Sequence, residues 1–447
     1  MTVARAAAHP LLARLLLATA LAPALTAPPV HAADTSTDSL AARVQAVEPQ
    51  VIAWRRDLHA HPELANREVR TAKLVADQLK AMGIEVRTKV AYTGVVGVLK
   101  GTGTGPGADK VVALRADMDA LPVAEKTGLP FASKATGEYQ GRTVPVMHAC
   151  GHDAHVAMLL GAARVLAAMR DQFAGTIVFI FQPAEEGPPE AEGGGAPLMI
   201  AEGVLDNPAP SAIFGIHVWP GPAGTLLVRP AGAMASSDTF EVHITGKQAH
   251  GAQPWAGIDP INVGAAIVQG INAIVARQLD MVKSPTVITI GAFQGGVRHN
   301  IVPETARLDG TLRTLDPGNR EQARARLATT VTSIAESMGA RAEVRFTDSN
   351  FVTWNDPALT ARVTASLKRA VGPDKVMDAP LIMASEDFSA YQQKIPGVFY
   401  FLGVNKDGVS PADAAPNHSP YFFVNEAALA SGVTAHVSTA LDYLAGD

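Results

Sequence analysis

The sequence predicts an α/β protein in two parts, an α/β domain interrupted by a smaller ferredoxin-like βαββαβ unit. Three apolar runs, Val111-Val112-Ala113-Leu114, Thr176-Ile177-Val178-Phe179-Ile180-Phe181 and Ala212-Ile213-Phe214-Gly215-Ile216, are continuous rather than alternating. Strands buried on both faces of a sheet read this way. Between Thr239 and Thr347 the patterns succeed one another as β-α-β-β-α-β, the split βαβ arrangement. The chain, at 447 residues, is also too long for one ordinary core.

Taken in order, the chain begins with Arg5, His9 and Arg14 ahead of the apolar run Leu15 to Ala22, and Val30-His31-Ala32 is a small-x-small cleavage pattern. Residues 1–32 read as a signal peptide, because Pro23, Pro28 and Pro29 cut the run too short for a membrane span. No other segment is long and apolar enough to span a bilayer, so the mature protein is expected to be periplasmic or secreted. Helical spacing from Leu40 to His59 is broken at His61-Pro62, and a second amphipathic stretch, Glu68 to Met82, ends at the C-capping Gly83. Gly94 to Lys100 is a strand. The glycine-rich segment Gly101 to Gly107 lacks the Lys-Ser/Thr ending of a phosphate loop and no helix pattern follows it, so it reads as a flexible turn. The three buried strands come next, with a helix from His155 to Met169 between two of them. The inserted unit then supplies strand Thr239–Thr245, helix Pro260–Arg277, strands Thr286–Ala292 and Ala306–Thr314, helix Arg320–Met338 and strand Ala342–Thr347. Helices Pro357–Val371 and Glu426–Leu444 return to the first domain. The main domain is thus expected over 38–228 and 349–447, and the insertion over 229–348.

Composition is that of a soluble globular protein, 47% hydrophobic and 18% charged, and a net charge of −5 gives no electrostatic case for nucleic acid. The lone cysteine, Cys150, cannot form an internal disulfide, and an exported free thiol is a liability unless something such as a metal holds it. It lies in Met147-His148-Ala149-Cys150-Gly151-His152-Asp153-Ala154-His155, where a thiol and imidazoles lie two residues apart. Asp117, Glu185, Glu186 and His217 follow the buried strands, at the carboxyl ends where open α/β sheets place their sites. Cys150, His152, Glu186, His217 and His418 are therefore candidate ligands for two divalent ions about 3.5–4 Å apart. The thiolate favours zinc, with manganese or cobalt as alternatives. Neighbouring side chains diverge at a strand end, so Glu186 can bind metal while Glu185 faces the attacking water as general base. His148, Asp153 and His155 read as supporting or helix-start residues, and Asp119 equally well as a turn residue.

Several motifs, in order, resemble those of the metal-dependent aminoacylase, hippurate hydrolase and carboxypeptidase family. They are Trp54-Arg55-Arg56-Asp57-Leu58-His59-Ala60-His61-Pro62-Glu63-Leu64, Arg115-Ala116-Asp117-Met118-Asp119-Ala120-Leu121-Pro122, the Met147–His155 stretch, Gln182 to Gly187, Asn300-Ile301-Val302-Pro303-Glu304, Ser385-Glu386-Asp387-Phe388 and Asn417-His418-Ser419-Pro420. The resemblance spans nearly all of the chain after about residue 40. It looks like the amidohydrolase branch that includes the plant auxin-conjugate hydrolases, since Cys150 stands where other branches use a different ligand. Those branches have His-x-Asp where this chain has Arg115-Ala116-Asp117, so Asp117 is expected to support the site without binding metal.

The resemblance implies a mixed-sheet α/β metallohydrolase whose insertion is a lid and dimerisation domain. It implies two metal ions on Cys150, His152, Glu186, His217 and His418, and Glu185 as base and acid. It also implies that His250 polarises the scissile carbonyl and that Asn300 and Arg313 hold a substrate carboxylate. Arg313 lies within a strand pattern, where a bidentate carboxylate clamp is a better use than solvent display. The implied substrates are N-acyl amino acids of the hippurate type, extending to auxin conjugates and aromatic amides of the ochratoxin type. A dipeptidase or carboxypeptidase on the same scaffold is the alternative. A non-catalytic exported binding protein is a second, against which the intact Glu185 argues. A homodimer with shared sites is expected, because helices Pro260–Arg277 and Arg320–Met338 cover one face of their sheet and leave edge strands to pair.

Overall fold

A computed structural model describes residues 39–446, so the expected signal peptide, 1–32, lies outside the described residues. The continuous apolar runs sort their side chains to two sides. In strand Thr176–Gln182, Ile177, Phe179 and Phe181 enter one core while Val178 and Ile180 enter another. Helices Leu40–Ala60, Val69–Ala81, His152–Ala168, Pro357–Val371 and Leu429–Ala445 cover the first face. The short helices Gly195–Ala201 and Phe388–Gln392 cover the second.

Eight strands make the sheet between them, in the order Glu85–Val90, Gly94–Lys100, Thr176–Gln182, Val111–Asp117, Ala212–Trp219, Gly397–Gly403, Leu226–Val228, Val376–Asp378. The four central strands are mutually parallel, and antiparallel neighbours flank them, which makes the sheet mixed. Gly397–Gly403, unassigned by the sequence reading, is buried along its whole length in the middle of the sheet. The Gly101–Gly107 turn is tied at its start, where the amides of Gly101, Thr102 and Gly103 donate to the carbonyls of Gly175, Arg170 and Phe173. Helix His152–Ala168 begins three residues earlier than its apolar pattern, which places His152 on its first turn.

The chain leaves this sheet after Val228 and rejoins it at Val376. In between stands a second, wholly antiparallel sheet in the order Thr286–Gly295, Thr305–Thr314, Ser237–Thr245, Arg341–Asn350. Helices Pro260–Gln278 and Pro317–Ser337 pack on one face, burying Val263, Ile267, Ile271 and Ile274 against Phe240, Val242 and Ile244. Each helix starts at an Asp followed by Pro. Asp259 and Asp316 accept backbone N–H groups of the first turn, and proline's fixed φ suits the first helical position. The Asp-Pro pair accounts for the second helix starting at Pro317 and not at Arg320. On the uncovered face Val287 stays exposed, whereas Phe293, paired with Leu308 after a bulge at Gly291, turns to the helix side and lies over Gly264. Among the described residues no helix is long and apolar enough to cross a membrane.

Asp238, fully buried, ties the second helix to its sheet by accepting from Arg320 Nε and Nη2 at 2.8 and 2.6 Å and from Arg324 Nη1 at 2.6 Å. Deleting one side of such a pair leaves charge uncompensated in a poorly solvated place. Asp238→Ala is expected to cost about 3 kcal/mol, measured as a lowered urea midpoint. A loss below about 1 kcal/mol would mark the pair as no stronger than an exposed one.

Candidate active site

Because the central strands are parallel, the loops after Asp117, Gln182 and Trp219 all emerge at one edge of the sheet. The Cys150 loop and the first turn of the His152 helix enter the same edge, with Gly151 at φ +96° turning the chain between them. His418 arrives on a loop docked against the cysteine. Its amide donates to the Ala149 carbonyl at 2.8 Å, and Asn417 Nδ2 donates to the carbonyls of Cys150 and Val218 at 3.0 and 3.2 Å.

The result is a close constellation. Cys150 Sγ lies 3.4 Å from His217 Nε2, and Glu186 Oε1 lies 3.0 Å from His418 Nε2. Donor atoms of Cys150, His152 and His217 fall within 4.8 Å of one another, and so do those of Cys150, Glu186 and His418, and of His152, Glu185 and Glu186. The two neighbouring glutamates do diverge: Glu186 turns to His418, whereas Glu185 lies beside Glu386 and Asp387.

Hydrogen bonding assigns the histidine tautomers. His217 Nδ1 donates to the Val218 carbonyl at 2.7 Å, which leaves the Nε2 lone pair facing Cys150. His152 Nδ1 donates to the Asp119 carbonyl at 2.8 Å, and its buried Nε2 has no hydrogen-bond partner. His155 differs, since Nδ1 bonds Asp117 and Nε2 accepts the Val218 amide at 2.8 Å. Both of its nitrogens are occupied. Both Asp117 oxygens are likewise engaged, by His155 and by Arg115 Nη1. Asp117 and His155 therefore stand behind the constellation. Asp119, which the sequence left open as a turn residue, is buried and accepts the Glu186 amide at 3.0 Å, so it links two of the candidate ligands.

The field of the site favours cations. Burial, with the charges of Glu186 and Glu185, pushes the Cys150 thiol well above its usual range. Burial opposes a charge on His152, yet Asp117 and Asp119 outweigh it and push the imidazole up to about 10. Burial, followed by Glu386 and Glu186, raises the Glu185 carboxyl well above the ordinary range, as a group that carries a proton requires. Two inward-facing atoms are buried without hydrogen bonds, His152 Nε2 and Glu186 Oε1, the latter with only its ion-pair contact to His418 Nε2. A thiol, imidazoles and a carboxylate with unsatisfied lone pairs in a negative field fit divalent metal ions.

Cys150, Glu185, Glu186, His217 and His418 line a cleft of about 780 Å³, and His152 stands behind them. Arg313, on a strand of the second sheet, lines the same cleft and has no hydrogen-bond or ion-pair partner among the described residues. His250 and Asn300 do not line it. They lie together on an exposed two-stranded pairing, where the Gly251 amide donates to the Asn300 carbonyl at 2.8 Å and His250 Nδ1 accepts the Ala252 amide. The sequence reading assigned no role to Glu386 and Asp387, which accept from Arg115 Nη2 at 2.9 and 2.8 Å. The signal available was Arg115 itself, a cation predicted next to a buried strand.

Comparison with known proteins places this geometry among relatives. The family model described as peptidase family M20/M25/M40 matches residues 113–442. Thermostable carboxypeptidase 1 of Saccharolobus solfataricus is 40% identical over 403 residues, covering 90% of this chain and 97% of the relative. IAA-amino acid hydrolase ILR1-like 4 of Arabidopsis thaliana is 40% identical over 399 residues, covering 88% and 86%. The crystal structure of the Bacillus subtilis YXEP protein, a dinuclear metal binding peptidase from the M20 family, aligns with a TM-score of 0.74 at 34% identity, covering 90% of this chain and 99% of that one.

A Cβ added at Gly151 would stand 2.3 Å from Val218 Cγ2, in a backbone conformation that L side chains rarely adopt. Gly151→Ala is expected to destabilise the fold by about 1–3 kcal/mol and to move Cys150 and His152 apart. Thermal melts of the metal-loaded and chelated protein check this. The variant should gain less stability from metal than the parent, and an equal gain in both would separate Gly151 from the ligand geometry.

Proposed function

This chain belongs to peptidase family M20/M25/M40 and is a metal-dependent hydrolase of C–N amide bonds, and on that premise we propose that it cleaves N-acyl amino acids to a carboxylic acid and a free amino acid. The observation that carries the reading is Arg313. An unpaired guanidinium faces the metal-donor cluster across one cleft, and a planar fork suits a substrate carboxylate beside the scissile amide.

In this proposal Cys150, His152, Glu186, His217 and His418 hold two divalent ions, zinc by preference for the thiolate, with manganese or cobalt able to substitute. When bound, the ions supply Lewis-acid activation of water and of the amide carbonyl. Glu185 takes the proton released by the attacking water and delivers it to the departing amine. Asp117 and Asp119 orient His152 through hydrogen bonds and charge. Arg313 fixes the amino-acid end, so that the amide rather than a remote bond meets the donors.

A carboxypeptidase or dipeptidase would use the same clamp, which is the second reading. A panel of N-acyl amino acids and free dipeptides, run on metal-analysed protein, decides between them. Turnover of the N-acyl series at least tenfold above the matching dipeptides is expected, and the reverse order would overturn the proposal.

The proposal also makes the unit a homodimer in which His250 and Asn300 serve the partner's site. Both are exposed and away from their own cleft, and Val287 is exposed on the helix-free face of the neighbouring four-stranded sheet. Export to the periplasm or beyond is part of the reading and rests on the leader pattern in residues 1–32. Glu185→Gln and His250→Ala chains should each fall about 100-fold or more in kcat when assayed alone. Mixed under subunit exchange, they should regain activity, because one site of the heterodimer then has both groups intact. A mixture that stays inactive although exchange is shown by mass would remove the shared site.

A further inference from the structure

Glu68 is fully buried, yet its side chain does not serve the helix it introduces. It stands at the N-cap of Val69–Ala81 and makes no capping bond there. That task falls to Glu63, which accepts the Arg70 and Thr71 amides at 2.9 and 2.8 Å. The Glu68 carboxylate reaches two other segments instead. Its Oε2 accepts the Thr93 hydroxyl at 2.5 Å, in the turn between strands Glu85–Val90 and Gly94–Lys100. Its Oε1 accepts the Ala184 amide at 2.9 Å. Neither donor is a cation. A carboxylate taken out of water for two neutral donors is costly to keep, so its position calls for a reason.

Ala184 immediately precedes Glu185. Its φ is +53°, in the left-handed region that residues with a Cβ seldom enter. The amide on the other side of Glu185 is held too, since Glu186 N donates to Asp119 Oδ2 at 3.0 Å. Glu185 is thus bracketed by two backbone amides, each tied to a buried carboxylate. We infer that Glu68 is a positioning residue for the hydrolysis, holding the left-handed turn at Ala184 and with it the direction in which Glu185 faces. The inference rests on the reading of Glu185 as the base. Deprived of its acceptor, the Ala184 amide loses the bond that holds this turn, and the backbone relaxes toward an ordinary φ. A rotation there carries the next side chain with it, and a misplacement of about 1 Å is enough to slow a proton transfer. Asp119 still holds the far amide, so Glu186 keeps its place among the metal donors while Glu185 shifts. The role needs an acceptor of the right length and not a charge. Burial, followed by Asp119, raises Glu68 to about 7, and a glutamine oxygen would serve Ala184 equally well while its Nε2 donates to the Thr93 hydroxyl.

The test uses the full zinc-loaded enzyme and three variants: Glu68→Leu, which fills the space without an acceptor, Glu68→Gln, which keeps one, and Thr93→Val, which removes the second tie. Rates on N-benzoylglycine are taken per metal-loaded site, so that partial misfolding cancels. Glu68→Leu should lose about 10- to 100-fold in kcat with KM changed less than about threefold and both ions retained. Glu68→Gln should recover kcat to within about threefold of the parent, and Thr93→Val should fall between the two. A second arm needs no turnover: hydrogen exchange of the peptide spanning Gln182 to Gly187. Its Ala184 amide should exchange about tenfold faster in Glu68→Leu and at the parent rate in Glu68→Gln. A Glu68 that merely supports the fold would lower the melting temperature and the loaded fraction, yet leave kcat per loaded site as it was. That result overturns the proposal, as do unchanged exchange in Glu68→Leu or a glutamine variant as slow as the leucine one. Should Glu68→Leu fail to load zinc, Thr93→Val carries the test, and parent values of both kcat and exchange in that variant reject the role. Should Glu185→Gln keep its turnover, the base assignment fails by itself, while the exchange arm still decides whether Glu68 holds the turn.

Discussion

One buried guanidinium sets the terms for the rest of the centre. Arg115 is 1% exposed and meets Gln182, Asp117, Glu386 and Asp387, groups contributed by two neighbouring strands and a distant loop. None of these charges would be tolerated alone in such a place, since a buried ion without a partner loses several kcal/mol of hydration. One cation against three carboxylates leaves negative charge over. Burial raises Glu386 to about 8 in spite of Arg115, and Glu185 beside it is raised as well. The metal donors sit at the edge of that surplus. Cation binding and the integrity of the Arg115 cluster are therefore two aspects of one electrostatic balance.

A second clamp steadies the ligands from the opposite side. Asp153 follows His152 on its helix, and its Oδ2 accepts from Arg55 Nε and from His59 Nδ1, each at 2.8 Å. Burial works against that carboxylate, yet Arg55 and His59 hold it well below the ordinary range. His59 Nε2 reaches Glu125 at 3.1 Å, and Phe131 packs edge-on against its ring. Through this network the first helix of the domain orients the start of the helix that presents His152. The Trp54–Leu64 motif thus acts at a distance from the cleft, by position.

Much of this was legible in the residues, for identifiable reasons. Strands buried on both faces must be apolar throughout, so Thr176–Gln182 and Ala212–Trp219 announced themselves. A parallel sheet gathers the ends of such strands, which is why Glu186 and His217 could be placed together before any coordinates. The insertion's first helix was placed from Pro260, but the Asp316-Pro317 start of the second went unread and its boundary was set three residues late. Other features carry no local trace. Nothing in Gly397–Gly403 says that it lies between Ala212–Trp219 and Leu226–Val228, because that neighbourhood is set by pairing across about 180 residues. The carboxylates that answer Arg115 are 271 and 272 residues away. That His250 and Asn300 stand apart from their own chain's cleft, while Arg313 reaches it, depends on how two sheets are set against each other, and periodicity contains no information on that.

The central place of Gly397–Gly403 has a consequence for biosynthesis. A ribosome delivers the strands on either side of it, Ala212–Trp219 and Leu226–Val228, long before it delivers the strand that separates them. Until then the half-built sheet carries an open edge and an unfilled apolar face, whereas the insertion, whose strands pair only among themselves, has all its parts as soon as Asn350 has emerged. The unit in the middle of the message is therefore complete before the unit that surrounds it. The large domain closes only with the last fifth of the chain, and early termination there forfeits the whole centre.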